Sequence, residues 1–268
     1  MRVPSWLLFV ALAWVSLAEA AEPRTLLAVF AHPDDESLIG PLLAKYGREG
    51  VRVQLVIVTE GEKGVFPHAG IPAGPELAKV RAEEARCSCQ ALGIDAPILL
   101  GFKDAELGRI SRPPWEYLAQ VERELRTLFA KFRPDVVITF GPEGAYGHAD
   151  HRLVGDVVTQ LVQAGVEGAP AALLYPGFPK ERLPKPLDRD FAVPWSPVAS
   201  RFLTVRVPYG DADLAATRAA LACHKSQFRS EDVESEARWT HEALGGYVYL
   251  RPWFGAAKTD DVFKVEIP

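Results

Sequence analysis

The chain has 268 residues, of which 48% are hydrophobic, and a formal net charge of −5. This length and composition allow a sizeable buried core, in one large α/β domain or two small ones. Because the sequence has no run of Lys and Arg, it lacks the electrostatic footprint of a nucleic-acid-binding protein, and the net negative charge mainly favours solubility.

The first twenty residues have the pattern of a secretory signal peptide. Arg2 supplies a positive start, Trp6–Leu17 is almost wholly apolar, and Ala18 and Ala20 are the small residues that a signal peptidase recognises. The apolar run is too short to span a bilayer comfortably, and no later run is longer, so we expect no stable membrane insertion. We therefore predict a signal peptide over 1–20, a mature domain over 21–268, and a secreted or periplasmic protein.

Apolar runs alternate with helical patterns along the rest of the chain. Strands are predicted at Thr25–Phe30, Arg52–Thr59, Pro97–Leu100, Asp135–Phe140, Ala171–Tyr175 and Phe202–Val207. Helices are predicted at Ser37–Arg48, Glu76–Leu92, Pro114–Phe132, His151–Ala164 and Asp211–Phe228, with a surface loop at Pro176–Pro197 and a short-stranded tail from Trp239. The pattern predicts a single Rossmann-like α/β domain, in which helices cover both faces of a mostly parallel sheet.

A polar cluster, AHPDDE, directly follows the first predicted strand. Open α/β sheets bind their ligands at the carboxyl ends of their strands. Burial of His32, Asp34 and Asp35 there is costly unless a cation uses their charge, and imidazole and carboxylate are normal zinc ligands. One carboxylate can bind the ion while the other accepts a proton. Alternatively, Asp34, Asp35 and Glu36 only cap the following helix, which explains the carboxylates but not His32.

A second polar cluster, GPEGAYGHADH, follows the strand Asp135–Phe140. It holds Tyr146, His148, Asp150 and His151. In a sheet ordered 3-2-1-4-5, the first and fourth strands are neighbours, so both clusters meet at the switch point where ligands bind. Two histidines and one carboxylate leave an open coordination position, as catalytic zinc requires, although the same set can hold Fe(II). The alternative is a glycine-rich loop with incidental solvent-exposed histidines.

The three cysteines receive no functional role. Cys87 and Cys89 lie two residues apart on a predicted helix, so they point to different faces and should not pair with each other. A disulfide between one of them and Cys223 and a set of three buried thiols both remain open.

The two clusters resemble the motifs of the LmbE/PIG-L superfamily of metal-dependent N-deacetylases, which pair AHPDDE after the first strand with a later HxDH. The chain carries AHPDDE at Ala31–Glu36 and HADH at His148–His151. Weaker similarities are VTEG at Val58–Gly61, the helix RAEEARCSCQALG from Arg81, LGFKD ending at Asp104, and HKSQ at His224–Gln227. The resemblance extends from about Arg24 to about Gln227, and it implies the Rossmann-like fold already expected.

The resemblance implies a catalytic metal centre. Its ligands would be His32, Asp35 and His151, and its ion Zn²⁺, with Fe²⁺ or another divalent ion as the alternative. Asp34 would be the general base. A carboxylate beside a cation is expected to have a lowered pKa and to stay ionised at neutral pH.

The resemblance also implies roles around the ion. Tyr146 and His148 would stabilise the oxyanion or protonate the leaving nitrogen, with Asp150 tuning His148, and Arg81 and Asp104 would bind the sugar. The expected reaction is hydrolysis of the N-acetyl group of an amino sugar or N-acetylglucosaminyl conjugate. The alternatives are a hydrolase of another small N-acyl amide and a non-catalytic sugar-binding protein that retains the pocket.

Overall fold

The computed structural model describes residues 23–108, 116–183, 195–255 and 258–265. The predicted signal peptide, residues 1–20, lies outside these ranges. Within them, every helix is either too short or too polar to cross a lipid bilayer.

The secondary structure follows the predicted alternation. The strands are β1 (Thr25–Phe30), β2 (Arg52–Thr59), β3 (Ile98–Phe102), β4 (Val136–Thr139), β5 (Ala172–Pro176), β6 (Phe178–Pro179), β7 (Pro197–Val198), β8 (Val205–Pro208) and β9 (Tyr247–Pro252). The α-helices are α1 (Gly40–Arg48), α2 (Pro75–Leu92), α3 (Glu116–Phe132), α4 (Gly144–Gly147), α5 (Ala149–Gln163), α6 (Asp211–Leu221) and α7 (Ser230–Leu244). Short 3₁₀ helices occupy Asp35–Ile39, Pro67–Ala69 and Val262–Lys264.

The main sheet has the strand order β3-β2-β1-β4-β5-β9-β8. Its first five strands are parallel, and β9 runs antiparallel to both β5 and β8. Leu26 on β1 lies opposite Val53 on β2 and Val136 on β4, so β1 and β4 are hydrogen-bonded neighbours. The predicted order and the single, mostly parallel α/β domain are confirmed.

The core forms where the apolar strands meet helices on both faces. Every side chain from Leu26 to Phe30 is fully buried, as expected of a central parallel strand without polar alternation. Helices α1, α2 and α6 pack against one another, while α3 packs against α5, which also contacts β1 and β4. The carboxyl ends of β1 and β4 therefore lie side by side between the two groups of helices. This is the position that the sequence predicts for the site.

The largest differences from the predicted elements lie in the last third of the chain. The helix predicted over Asp211–Phe228 ends at Leu221, and the chain then turns toward α2. The tail predicted to be short-stranded from Trp239 begins inside α7, and β9 starts only at Tyr247. The buried positions Val233, Ala237 and Leu244 have helical spacing, but the many charged residues between them hide it.

One cysteine alternative is resolved. Cys87 on α2 forms a disulfide with Cys223 after α6, with the Cα atoms 5.7 Å apart. Cys89 is a free, buried thiol.

Candidate metal centre and active-site cleft

The turn after β1 separates two neighbouring carboxylates. Asp35 folds back on the strand end, where its Oδ2 accepts hydrogen bonds from the N–H groups of Ala31 at 3.1 Å and His32 at 2.7 Å. Asp34 has a φ of 98°, in the left-handed region that non-glycine residues rarely adopt. Its Oδ2 lies 3.0 Å from Nη2 of Arg81. The two carboxylates therefore have different partners, as their proposed roles require.

The turn after β4 carries the other two predicted histidines, His148 and His151. His148 caps α5, and its Nδ1 accepts the backbone N–H of Asp150 at 3.2 Å. The His151 ring stacks on Phe140 with the centroids 3.9 Å apart, and its Nδ1 lies 3.2 Å from the carbonyl oxygen of Gly144. These contacts fix the His151 ring and leave its Nε2 directed at the turn after β1.

The two turns meet at three candidate ligand side chains. Nδ1 of His32 lies 3.1 Å from Nε2 of His151, and Asp35 places Oδ2 3.5 Å from the first nitrogen and Oδ1 3.2 Å from the second. Ligands bound tetrahedrally at zinc distances lie about 3.3 Å apart. Two imidazoles and one carboxylate at this spacing fit a zinc-class ion and leave one position for water.

The other face of His32 meets two more carboxylates. Its Nε2 lies 3.2 Å from Oδ1 of Asp104 and 3.5 Å from Oδ2 of Asp150. Burial lowers the pKa of His32, but the carboxylates of Asp104, Asp150 and Asp35 outweigh burial and raise it well above its usual value. A histidine that binds a metal commonly donates its other N–H to a carboxylate, so this arrangement fits metal binding through Nδ1.

Two other groupings bring three ligand atoms within 4.8 Å of one another. They are His32 with His148 and His151, and His32 with Asp104 and Asp150. We favour His32, Asp35 and His151 because their donor atoms have the separations of a coordination shell and because Asp104 and Asp150 face the opposite ring nitrogen.

Arg81 lies behind Asp34. Its guanidinium is buried and donates hydrogen bonds to the carbonyl oxygens of Gly61, at 2.8 Å, and of Pro33. Burial raises the pKa of Asp34 to about 6, the Arg81 charge opposes this rise, and the Asp35 carboxylate adds to it. That direction differs from the lowering expected beside a cation, because burial is the largest effect on the metal-free carboxyl group. The structure thus joins Arg81 to Asp34, whereas the resemblance assigns Arg81 to the sugar.

Tyr146 and His148 border the three ligand atoms. The Tyr146 ring centroid is 5.1 Å from that of His151 and 5.9 Å from that of His148. Burial raises the pKa of Tyr146, so its hydroxyl remains a donor, while burial and the neighbouring histidines lower the pKa of His148. These shifts keep the Tyr146 hydroxyl protonated and favour the neutral form of the His148 ring.

Asp150 has a different partner from the one that the resemblance implies. Its Oδ2 accepts the N–H of Ala105 at 2.7 Å and lies 3.5 Å from His32, and its bond to His148 uses its backbone N–H. The Asp150 carboxylate therefore faces Ala105 and His32, while the His148 side chain bonds the backbone at the start of α5.

Backbone strain is concentrated at the site. Among the residues that the structure describes, the non-glycine residues with positive φ are Asp34, Ala105, Ala145 and Arg133, and the first three belong to the site. Such strain persists only where the surroundings hold it, and it is common at functional sites.

An open cleft of about 640 Å³ adjoins the candidate ligands. It is lined by Lys63, Ala105, Glu106, Gly108, His148, Ala149 and Asp150. Lys63 Nζ and Glu106 Oε1 form an ion pair at 3.0 Å. The lining combines charged or ionisable side chains with small apolar residues. Sequence reasoning missed Lys63 and Glu106, because exposed charged residues in loops carry no distinguishing pattern.

Sequence reasoning also missed a buried group behind the site. Glu36, treated above only as a helix cap, accepts hydrogen bonds from Ser88 at 2.5 Å and His224 at 2.6 Å. Burial raises the pKa of Glu36, but His224 and Ser88 lower it by more. Burial lowers the pKa of His224, and the Glu36 charge raises it above its usual value. The HKSQ similarity at His224–Gln227 was the available sequence signal for His224, but it did not predict a contact with Glu36.

Comparison with known proteins identifies a family model and several deacetylases that this chain is similar to. The family model described as PIG-L, GlcNAc-PI de-N-acetylase, matches residues 27–162. The 1D-myo-inositol 2-acetamido-2-deoxy-alpha-D-glucopyranoside deacetylase of Corynebacterium urealyticum is 31% identical, over 87% of this chain and 81% of that protein. The deacetylase 2 of the same description from Catenulispora acidiphila is 36% identical over 55% of this chain. That match spans about half the relative's length, 54%.

A solved structure shares the fold. The N,N'-diacetylchitobiose deacetylase of Pyrococcus horikoshii superposes with a TM-score of 0.60 at 21% identity, covering 86% of this chain and 84% of that one. At this identity the likeness supports the architecture rather than the reaction.

The predicted secreted or periplasmic location is wrong. The named relatives are cytoplasmic enzymes, and this finding overturns an expectation based on the composition of residues 1–20, which lie outside the described ranges.

Proposed function

Because the chain belongs to the PIG-L family of GlcNAc-PI de-N-acetylases, we propose that it is a metal-dependent hydrolase that removes the N-acetyl group from an amino sugar conjugate. The carrying observation is the meeting of His32, Asp35 and His151 within 3.5 Å of one another, at the turn that also carries Asp34. We propose Zn²⁺ as the ion, because its ligand preference matches two imidazoles and one carboxylate.

The proposed reaction divides the chemistry among named side chains. A Zn²⁺ ion held by His32, Asp35 and His151 would supply a Lewis acid that acidifies water and polarises the carbonyl group. Asp34 accepts a proton from the water molecule whose oxygen attacks the acetyl carbonyl carbon. The Tyr146 hydroxyl donates a hydrogen bond to the developing oxyanion. His148 protonates the amide nitrogen as the C–N bond breaks, so the products are acetate and a free amine.

The remaining predicted residues support this machinery. Asp104 and Asp150 hold the ring of His32 through its Nε2, and Arg81 holds Asp34. Asp104 also accepts the N–H of Lys63 at 3.2 Å, which ties it to the wall of the cleft. We propose that Asp104 and Arg81 affect sugar binding through these contacts, and that the exposed cleft residues meet the rest of the substrate.

The test combines metal analysis with an assay of amine release. Purified protein is analysed for its elements and then incubated with N-acetylglucosamine, its myo-inositol glycoside, N,N'-diacetylchitobiose and an N-acetyl amino acid. We expect about one equivalent of zinc and release of amine from at least one sugar but not from the amino acid. Binding of the sugars without release of amine would instead support a non-catalytic sugar-binding protein, and release only from the amino acid would shift the substrate class.

A further inference from the structure

A buried hydrogen-bonded group lies behind the metal centre and joins three distant parts of the chain. Glu36 comes from the turn after β1, Ser88 from α2, and His224 from the segment after α6. Their exposed fractions are 1%, 0% and 0%. Oε1 of Glu36 accepts hydrogen bonds from Ser88 Oγ at 2.5 Å and from His224 Nε2 at 2.6 Å. We call these three residues the Glu36 clamp.

The second oxygen of the clamp carboxylate reaches Asp34. Oε2 of Glu36 accepts the backbone N–H of Asp34 at 3.0 Å. At its φ of 98°, Asp34 has a backbone conformation that costs energy and needs support from its surroundings. Since the backbone angles of Asp34 set the direction of its carboxylate, Glu36 holds the conformation that presents this carboxylate to the site.

The disulfide lies directly beside both donors of the clamp. Cys87 immediately precedes Ser88, and Cys223 immediately precedes His224. The cross-link therefore limits the separation of the two residues that hold Oε1 of Glu36. The donors come from segments far apart in sequence, so without a covalent link their meeting depends on packing alone.

We propose that Ser88 and His224 are positioning residues that hold the Asp34 carboxylate in its reactive orientation through Glu36, and that the Cys87–Cys223 disulfide keeps this clamp closed. The inference rests on the proposed function, because it takes Asp34 as the base that accepts the proton of water. It goes beyond that function by giving three residues outside the metal centre a part in the rate.

A matched pair of serine variants separates positioning from stability. Ser226 resembles Ser88 in being buried and in donating to a carboxylate, since its Oγ lies 2.6 Å from Oε2 of Glu84 on α2. Ser88→Ala should lower kcat by about tenfold, with KM and metal content unchanged, because a small displacement of a catalytic group has large effects on rate. Ser226→Ala should leave kcat unchanged. Both variants should lower the midpoint of unfolding, and by similar amounts. Equal kcat values in the two variants would overturn the positioning role.

A double-mutant cycle tests whether His224 acts through Asp34. His224→Gln should lower kcat by about 10- to 100-fold in the parent protein. In an Asp34→Asn background the same change should have almost no further effect, because the group that it positions can no longer accept a proton. Independent, multiplicative effects would show that His224 is merely structural.

The disulfide is tested by hydrogen exchange in metal-free protein, a measurement that needs no activity. Replacing Cys87 and Cys223 by Ser should increase the exchange rate of the peptide covering residues 31–39 by about tenfold. The Cys89→Ser variant, which retains the disulfide, should exchange at the parent rate. Unchanged exchange in the double variant would remove the disulfide from the proposal.

These outcomes are distinct from failure of the proposed function. If the parent protein releases no amine from any substrate, the deacetylase assignment fails while the exchange experiment still reports on the clamp. If the parent is active but the serine variants behave alike, the clamp fails and the assignment stands.

Discussion

The two turns that supply the candidate metal ligands are held in place in different ways. The turn after β1 depends on distant residues: Glu36 is bound by Ser88 and His224, and Asp34 is bound by Arg81. At the turn after β4, the His151 ring depends on neighbours in sequence, because Phe140 and Gly144 fix it, even though the Glu143–Arg251 ion pair also ties this turn to β9. We therefore expect Asp34, the proposed general base, to respond to changes across the molecule, and the His151 ring to respond mainly to local ones.

At each turn, a glycine allows a close contact that a side chain would block. Gly61 lies far in sequence from the first turn, and a Cβ there would be 2.4 Å from Nη1 of Arg81. Gly155 lies on α5, four residues after His151, and a Cβ there would be 2.3 Å from the carbonyl oxygen of Phe140. The first glycine makes room for a distant side chain, and the second lets a helix approach the strand that precedes it.

The largest expected effect removes the ion that the two turns share. His151→Ala deletes a ligand from the locally supported turn, and we expect metal content to fall from about one equivalent to near zero, with loss of activity. His68→Ala, at an exposed histidine remote from the site, is the control and should keep its metal. Elemental analysis after gel filtration provides the measurement. A full equivalent in His151→Ala would remove this residue from the ligand set.

The next largest effect should come from Asp34, the proposed base on the turn that residues distant in sequence support. Asp34→Asn keeps the size of the side chain but cannot accept a proton, so kcat should fall by about 10²–10⁴ with metal retained. Steady-state kinetics with parallel metal analysis gives both values. Loss of metal equal to that in an Asp35→Asn variant would mean that the two carboxylates share the ligand role.

A smaller effect should follow from changing the support of Asp34. Arg81→Lys keeps the charge but cannot bond Pro33, Gly61 and Asp34 together, so we expect kcat to fall by about tenfold and KM to change less. Kinetics over a range of sugar concentrations separates the two constants. A raised KM with an unchanged kcat would support direct sugar binding by Arg81.

The last comparison concerns stability rather than rate and uses two glycines with matching backbone angles. Gly61 and Gly70 have φ values of 63° and 65°, but only Gly61 has other atoms within 4 Å of an added Cβ. Both changes to Ala should cost about 1 kcal/mol of unfolding free energy from the left-handed conformation. Gly61→Ala should cost about 1–3 kcal/mol more through the clash with Arg81. Urea unfolding measures both, and equal losses would show that Arg81 moves aside freely.

Local patterns predicted much of the fold and part of the site. The strand order and the meeting of AHPDDE with GHADH followed from apolar strands and from the position of polar clusters at strand ends. The partner of Asp150 did not follow, because its carboxylate contacts Ala105 and His32, which belong to other loops. The pairing of Glu36 with His224 spans 188 positions and carries no periodic signal.

The same 188-residue separation between Glu36 and His224 bears on how the protein is made. A ribosome synthesises the turn after β1 early and the HKSQ segment late, so the nascent chain carries an acidic side chain without its basic partner for most of translation. The parallel strands can pair before His224 emerges, but Glu36 then lacks one of the two side chains that donate to its Oε1. A fragment ending at residue 162, where the family match stops, would accordingly contain the candidate ligands His32, Asp35 and His151. It would lack His224, the basic partner of Glu36.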